Sequence, residues 1–346
     1  MQPIHGRQLF QNVLIPFLAL DFEMIKTRMR AIFNPERFQG WGKTKSYFEG
    51  WYFKLVSPSG RSLAVIPGIA WDSAGQGHAF VQLLDGNQKT ANYIRFSSEL
   101  FRASEDEFLV TVGGNVFSDK VLNLNLEHVT GMVRFSGTIG WPKPWYAPGI
   151  MGPFSFVPRM ECYHGIVSLD HQLHGKINFH GEEIDFTGGR GYLEKDWGRS
   201  FPSAYIWMQS NHFEVEGVSI KCSVARIPWM GSSFTGFIAG LWLGDRLISF
   251  TTYNRSVLHK VTVDHTLVNI ELTNRKYRLQ VAAERDQATE LASPIRGHME
   301  GRIQETMTAR INIRLLDKKS DAVVFTGTGK FAGLEVAGAL TEILKA

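Results

Sequence analysis

Only two cysteines, Cys162 and Cys222, occur in 346 residues. That is too few for a disulfide scaffold in a chain of this size, and it suits a reducing compartment. Long hydrophobic runs are also missing. No stretch approaches the roughly 18 consecutive apolar residues of a transmembrane helix. The N-terminus carries no secretory signal. Its apolar stretch Val13–Leu20 is short, is interrupted by Pro16, and runs into Asp21 and Glu23 with no small-residue cleavage site. The expected location is therefore the cytoplasm. Charge of one sign is lacking too. With 37 Lys and Arg against 33 Asp and Glu, the formal net charge is +4, too diffuse an excess to argue for nucleic acid.

Several catalytic signatures are absent as well. There is no Walker A sequence, no His-Glu-x-x-His helix and no Gly-x-Ser-x-Gly elbow. Two cysteines exclude a zinc site of four thiolates. The Gly327–Gly333 stretch only superficially looks like a dinucleotide loop, because its third glycine comes one residue late and no βαβ unit surrounds it. His164, His171, His174 and His180 cluster in sequence, but nothing in their spacing marks a metal site. These absences leave a binding protein, or an enzyme whose reaction needs neither metal nor nucleotide cofactor.

What is present points to β-structure. The chain is 44% hydrophobic and 12% aromatic, with 34 Gly and 24 Phe, which excludes wholesale disorder and favours a turn-rich β protein. Its length suggests about two domains. One helix is expected near the start. Leu18, Phe22, Ile25, Met29 and Ile32 recur at spacings of four and three, on one face. Acids lie early in it and bases late, matching the helix dipole. Pro35 disfavours helical geometry at Asn34 and ends it. The stripe either packs on the main body or lies on a lipid bilayer as a peripheral contact, since the polar face carries several basic groups.

After Pro35 the hydrophobic period becomes two. Leu122, Leu124 and Leu126 alternate with polar residues, as do Val218, Ile220, Cys222 and Val224, and Ile311, Ile313 and Leu315. Each reads as a strand with one buried and one polar face. Turn signals at Asp85-Gly86-Asn87, Gly113-Gly114 and His180-Gly181 separate the runs. Many short strands imply a sandwich or barrel. The segment 141–158 differs: five prolines exclude a helix or central strand, yet it is aromatic, so it should pack on the domains it joins or on a ligand.

Two segments combine acids with aromatics. In the first, Tyr47, Glu49, Trp51 and Phe53 share one strand face, and Phe48, Gly50, Tyr52 and Lys54 the other. A desolvated Glu49 would have a raised pKa and could donate a proton. Alternatively it pairs with a basic residue and pins a sheet. In the second, Tyr192, Glu194 and Asp196 face one way, and Leu193, Lys195 and Trp197 the other. Two acids on one face repel when both are ionised, so one is expected to hold its proton, and Tyr192 could bond to Glu194. The alternative is an ion-pair network with Arg190 and Arg199. Upstream, Glu161, Tyr163 and His164 offer another acid, a phenol and an imidazole.

At these segments the sequence resembles the tocopherol cyclase family. Tyr47–Phe53 matches its Phe-Phe/Tyr-Glu-Gly-Trp-Tyr-Phe signature, with Tyr47 in first position. Gly191–Pro202 matches Gly-Tyr-x-Glu-Lys-Asn/Asp-Trp-Gly-x-x-Phe-Pro, followed by Ile206–Asn211. Ala292–Arg310 and Gly333–Gly338 agree as well, so the resemblance spans roughly residues 35 to 340. The family is similar, more remotely, to carotenoid hydratases and other two-barrel proteins. That similarity puts an acidic position on Glu194, an aromatic on Tyr192 and a histidine near His164.

The resemblance implies a mostly β protein of two lipocalin-like antiparallel barrels with a short N-terminal helix, and a pocket between or within the barrels. The expected domains are a helix over 1–37, a first barrel over 38–187 that includes 141–158, and a second over 188–346. Asp196 stands where the plant enzymes commonly have Asn, and the missing plastid transit segment implies a bacterial relative.

The activity implied is closure of a chromanol ring on a prenylated hydroquinone. An acid protonates the tail alkene and the phenol oxygen attacks the tertiary cation, with no redox cofactor. Glu194 is the expected donor, tuned by Tyr192 and Asp196, with Glu49 and His164 as further acid–base candidates. Trp51, Tyr52, Trp197 and Trp207 are the expected substrate-binding aromatics, although alternation prevents all of them pointing inward. The competing readings are a non-catalytic carrier of an isoprenoid, and a structural protein with a vestigial pocket, which a filled barrel interior would favour.

Overall fold

The computed structural model describes residues 29–229 and 231–344. Of the expected N-terminal helix, residues 29–33 are helical; Leu18, Phe22 and Ile25 lie outside the described residues. The helix stops where Pro35 predicts. Its end packs on the body, with Phe33 edge-on to Phe156 at 6.0 Å between ring centroids.

The rest is antiparallel β in two sheets, the expected fold class. At the centre of the first sheet, Tyr47–Val56 lies between Ser62–Trp71 and Arg190–Gly198, which in turn pairs with Cys162–Phe179. Meanders extend outward on both sides, from Gly77–Asp85 to Thr90–Ser97 and from Val129–Ser136 to Phe101–Ala103. In the second sheet, Ala204–Ser210 lies between Val218–Trp229 and Val323–Gly338, and His298–Asp317 follows. The expected division at residue 188 is thereby corrected. Arg190–Gly198 is a central strand of the first sheet, so the second begins after Gly198.

Period-two alternation decides what each sheet encloses. Trp51, Phe53, Leu55, Val65, Phe117 and Leu193 belong to one buried core inside the first sheet. Ile220, Cys222, Val224, Ile311, Ile313 and Leu315 do the same inside the second. Both interiors are packed. The opposite faces of the two sheets meet, and Tyr52, Ile166 and Tyr192 from the first pack with Tyr205 and Trp207 from the second.

Asn312 and Arg314 are exposed between Ile311, Ile313 and Leu315, as expected, but the polar row of Val218–Trp229 is not. Ser219 and Lys221, on the polar side of Val218–Trp229, are buried against the other sheet. Cys162 and Cys222 are both unpaired. Burial pushes the Cys222 thiol up to about 12, which keeps it protonated and inert.

Segment 141–158 packs on the domains it joins, one of its two expected roles. Trp141 lies over Gly240 of the second sheet, where a Cβ would come within 2.4 Å of the ring. Met151 and Phe154 face the space between the sheets.

Candidate active site

A cavity of about 210 Å³, partly open to solvent, lies between the sheets. Register puts the acids on its wall. Along Arg190–Gly198, Glu194 sits opposite Tyr52 on one side and Ile166 on the other, while Asp196 sits opposite Gly50 and His164. These even-numbered positions of the 47–56 and 190–198 strands turn away from the barrel core, so Tyr52, Glu194, Asp196 and His164 all line the cavity. Gly198 ends the strand at φ +150, and a Cβ there would lie 2.3 Å from the Glu161 carbonyl. Glycine thus lets the strand carrying His164 run close alongside.

Glu194 is 5% exposed. Its Oε2 accepts hydrogen bonds from the Tyr192 hydroxyl and, at 3.1 Å, from Trp207 Nε1. His164 Nε2 stands 3.4 Å from the same oxygen, near enough for electrostatic contact but without hydrogen-bond geometry. His164 Nδ1 lies 2.7 Å from Asp196 Oδ1, which orients the ring. Burial raises the Glu194 carboxyl above the ordinary carboxylate range. His164 pulls it down, Asp196 adds to the rise, and Lys221 and the Tyr192 bond oppose it. The result is an acid biased toward its neutral form in an apolar cavity. Arg190 pairs instead with Asp170, Nε to Oδ1 at 2.9 Å, and Arg199 is exposed.

The first signature divides by face. Tyr52 is on the cavity side, with its ring edge-on to Trp207 at 5.6 Å. Glu49 and Trp51 lie on the other side, which corrects their expected roles. Glu49 is fully buried, 2.6 Å from Lys195 Nζ, and accepts from the Gln39 backbone N–H at 2.9 Å and the Tyr47 hydroxyl at 2.6 Å. Trp51 stacks on Phe108 in the barrel core, and its Nε1 donates to the Glu36 carbonyl at 2.8 Å. Trp197 is corrected likewise. It stacks on Tyr163, and the Lys195 ammonium lies 4.5 Å from its ring centre. All three belong to a clasp that fastens residues 35–39 to the first barrel.

The second sheet adds cavity residues that sequence reading did not single out. Lys221 and Ser223 line the wall beside Trp207, and Tyr205 donates to Glu335 Oε2 at 2.7 Å. Burial and neighbouring carboxylates hold Glu335 well above the usual carboxylate range. Behind this wall Tyr52 donates to Glu305, whose carboxyl burial raises to about 7. The sequence does hold a signal for Lys221 and Ser223. They form the polar row of an alternating strand, and a two-barrel fold buries that row.

His164, Glu194 and Asp196 bring three donor atoms within 4.8 Å of one another, close enough to hold a metal ion. The carboxylate oxygens nearest the ring already have protein partners, while His164 Nε2 has none. Asp196 Oδ1 holds His164 Nδ1, and Glu194 Oε2 accepts from Tyr192 and Trp207. A metal held through those two oxygens would compete with these bonds, whereas an unpartnered imidazole nitrogen 3.4 Å from Glu194 Oε2 suits proton transfer as the site stands. Dialysis against a chelator is expected to leave turnover unchanged. Loss restored by a divalent cation would assign the three residues to a metal instead.

Among solved structures, the chain is similar to a putative AttH from Nitrosomonas europaea. The TM-score is 0.51 and the identity 16%, over 84% of this chain and 92% of that one. It is also similar to CghA in complex with Sch210972, at TM-score 0.54 and 10% identity, over 85% and 89%. At these identities the likeness shows the fold. In sequence it is 22% identical to a probable chloroplastic tocopherol cyclase of Oryza sativa subsp. japonica, over 86% of this chain and 76% of that protein. A chloroplastic tocopherol cyclase of Zea mays matches at 23% identity over 52% and 40%. The tocopherol cyclase-like family profile matches residues 114–338, well over half the chain and including the acid-bearing strand. The chain therefore belongs to the tocopherol cyclase-like family.

Proposed function

We propose that this protein cyclises a prenylated hydroquinone or related isoprenoid by protonating a prenyl double bond. Family membership supports a cyclase or isomerase. The observation that carries the finer reading is the Glu194 carboxyl, buried on an apolar cavity wall and biased toward its neutral form. An alkene is a weak base, so the donor must be a neutral acid in a medium of low dielectric. Protonation places the cation on the tertiary carbon. Tyr52 and Trp207, beside Glu194, offer π-faces to it. The phenol oxygen then closes the ring, and an enclosed apolar cavity limits capture of the cation by water.

Glu335 is a second acid on the wall with a raised pKa, but of the two it is Glu194 that has an imidazole beside it. His164, tied to Asp196, gives it a route for reprotonation. Both barrel interiors are filled, yet the space between them remains open, so filled interiors do not argue for a vestigial pocket here. The ligand would be lipid-soluble. We place the working protein in the cytoplasm at a membrane surface, with the N-terminal segment as its contact.

The test is incubation with prenyl hydroquinones of differing tail length, followed by mass spectrometry. The expected product is a chromanol of unchanged mass. Tight binding without conversion would make the protein a carrier.

A further inference from the structure

Cyclisation also requires a group that takes the phenol proton within the same cavity. We propose that the Lys221 amine is that group, with Ser223 holding it in place. This rests on the cyclase reading above.

Three lysines are buried among the described residues, and they differ in their ties. Lys195 is ion-paired to Glu49. Lys54 donates to Gln209 at 3.2 Å and to the Phe331 carbonyl, and does not line the cavity. Lys221 lines the cavity at 1% exposure, and among the described residues its recorded hydrogen bond is to the Ser223 hydroxyl. A lysine without a carboxylate in contact is not held as an ammonium by an ion pair.

Topology sets its position. Ser223 is directly across from Trp207 in the antiparallel ladder, and Lys221 is two residues along on the same face. Trp207 in turn donates to Glu194. One pair of neighbouring strands thus ties the amine's support to the acid's support, and both groups line the one cavity. Burial lowers the pKa of Lys221, while Glu194 and Asp196 pull it upward. A lowered ammonium pKa brings the neutral amine within reach as a base for a phenol.

The proton count closes. Glu194 gives its proton to the alkene carbon, and the C=C π bond is lost. The phenol oxygen bonds to the tertiary carbon, and the O–H proton passes to the Lys221 nitrogen. Return of that proton from the ammonium to the Glu194 carboxylate restores the site, with no electrons gained or lost.

The experiment compares wild type, Lys221→Met and Lys221→Arg in D₂O with a prenyl hydroquinone, reading both chromanol and deuterium in the recovered tail. Circular dichroism checks the fold. Lys221→Met is expected to form chromanol about 100-fold more slowly, while deuterium still enters the recovered alkene or a tertiary alcohol. Lys221→Arg keeps the charge but cannot act as a base, and is expected to be equally slow. Rescue by arginine would overturn the proposal, as would cyclisation by Lys221→Met at close to the wild-type rate. So would equal loss of chromanol and deuterium in a folded variant. A wild-type protein that forms neither chromanol nor deuterated tail would instead overturn the cyclase reading, and the role of Lys221 with it.

Discussion

Replacing Glu194 by Gln is expected to remove most turnover and to leave ligand binding nearly intact. The amide keeps the shape of the side chain, and its oxygen can still accept from Tyr192 and Trp207. What it lacks is the acidic proton. General acid catalysis typically contributes about 10²–10⁴-fold, and the loss should fall in that range. Wild-type turnover should also have an alkaline limb set by this acid. The neutral carboxyl is the donor, so the rate falls as pH rises through the raised pKa of Glu194.

Stability provides the control. A carboxyl whose folded pKa lies above its unfolded value contributes stability that is complete below the unfolded pKa. That share is lost as pH rises through the folded pKa. Glutamine does not titrate, so above that value Glu194→Gln should melt no lower than wild type. Turnover at the wild-type rate would remove Glu194 from the role. An equal loss in Glu335→Gln, with Glu194→Gln active, would move the acid to Glu335.

Much of this site could be read from the chain. Alternation put Tyr192, Glu194 and Asp196 on one face and Lys195 and Trp197 on the other, and the structure has that arrangement. The Tyr192–Glu194 bond followed from two-residue spacing. Alternation could not say which face of a strand meets a cavity. In Tyr47–Val56 both faces are buried, one in the barrel and one between barrels, so Glu49 and Tyr52 looked equally internal. Sequence spacing also hides cross-sheet partners. Lys195 meets Glu49 only because strands 47–56 and 190–198 pair, across more than a hundred residues. The same pairing placed the domain boundary too early. The second barrel was expected to begin at residue 188, but the strand that follows returns to the first sheet. Lys221 was overlooked because a polar row on an alternating strand normally faces water.

The clasp yields the largest expected loss of stability. Lys195→Met should destabilise the folded protein by about 3–5 kcal/mol, because it strips the partner from a buried charge. That corresponds to a fall in Tm on the order of 10 °C. The Glu49 and Lys195 side chains are both fully buried, with Nζ 2.6 Å from Oε1. Burial pushes Glu49 up and Lys195 down, toward their neutral forms, and their mutual attraction pulls each back. The ammonium also donates to the Pro35 carbonyl at 2.9 Å and to that of Arg37, so methionine removes a donor from each, although the Arg37 carbonyl keeps Gln39 Nε2 at 3.0 Å.

The deficit should grow with pH. Without Lys195 the folded pKa of Glu49 rises further, so its stabilising share is present in acid and lost as pH increases. Melting curves at pH 5 and pH 8 check the sign. The cavity lies on the opposite face of the strand, so the variant should retain turnover well below its Tm. That is the reverse of Glu194→Gln, which keeps its fold and loses its chemistry. An unchanged Tm in Lys195→Met would mean that the clasp does not fasten residues 35–39, and Glu49 would again be open to a catalytic role.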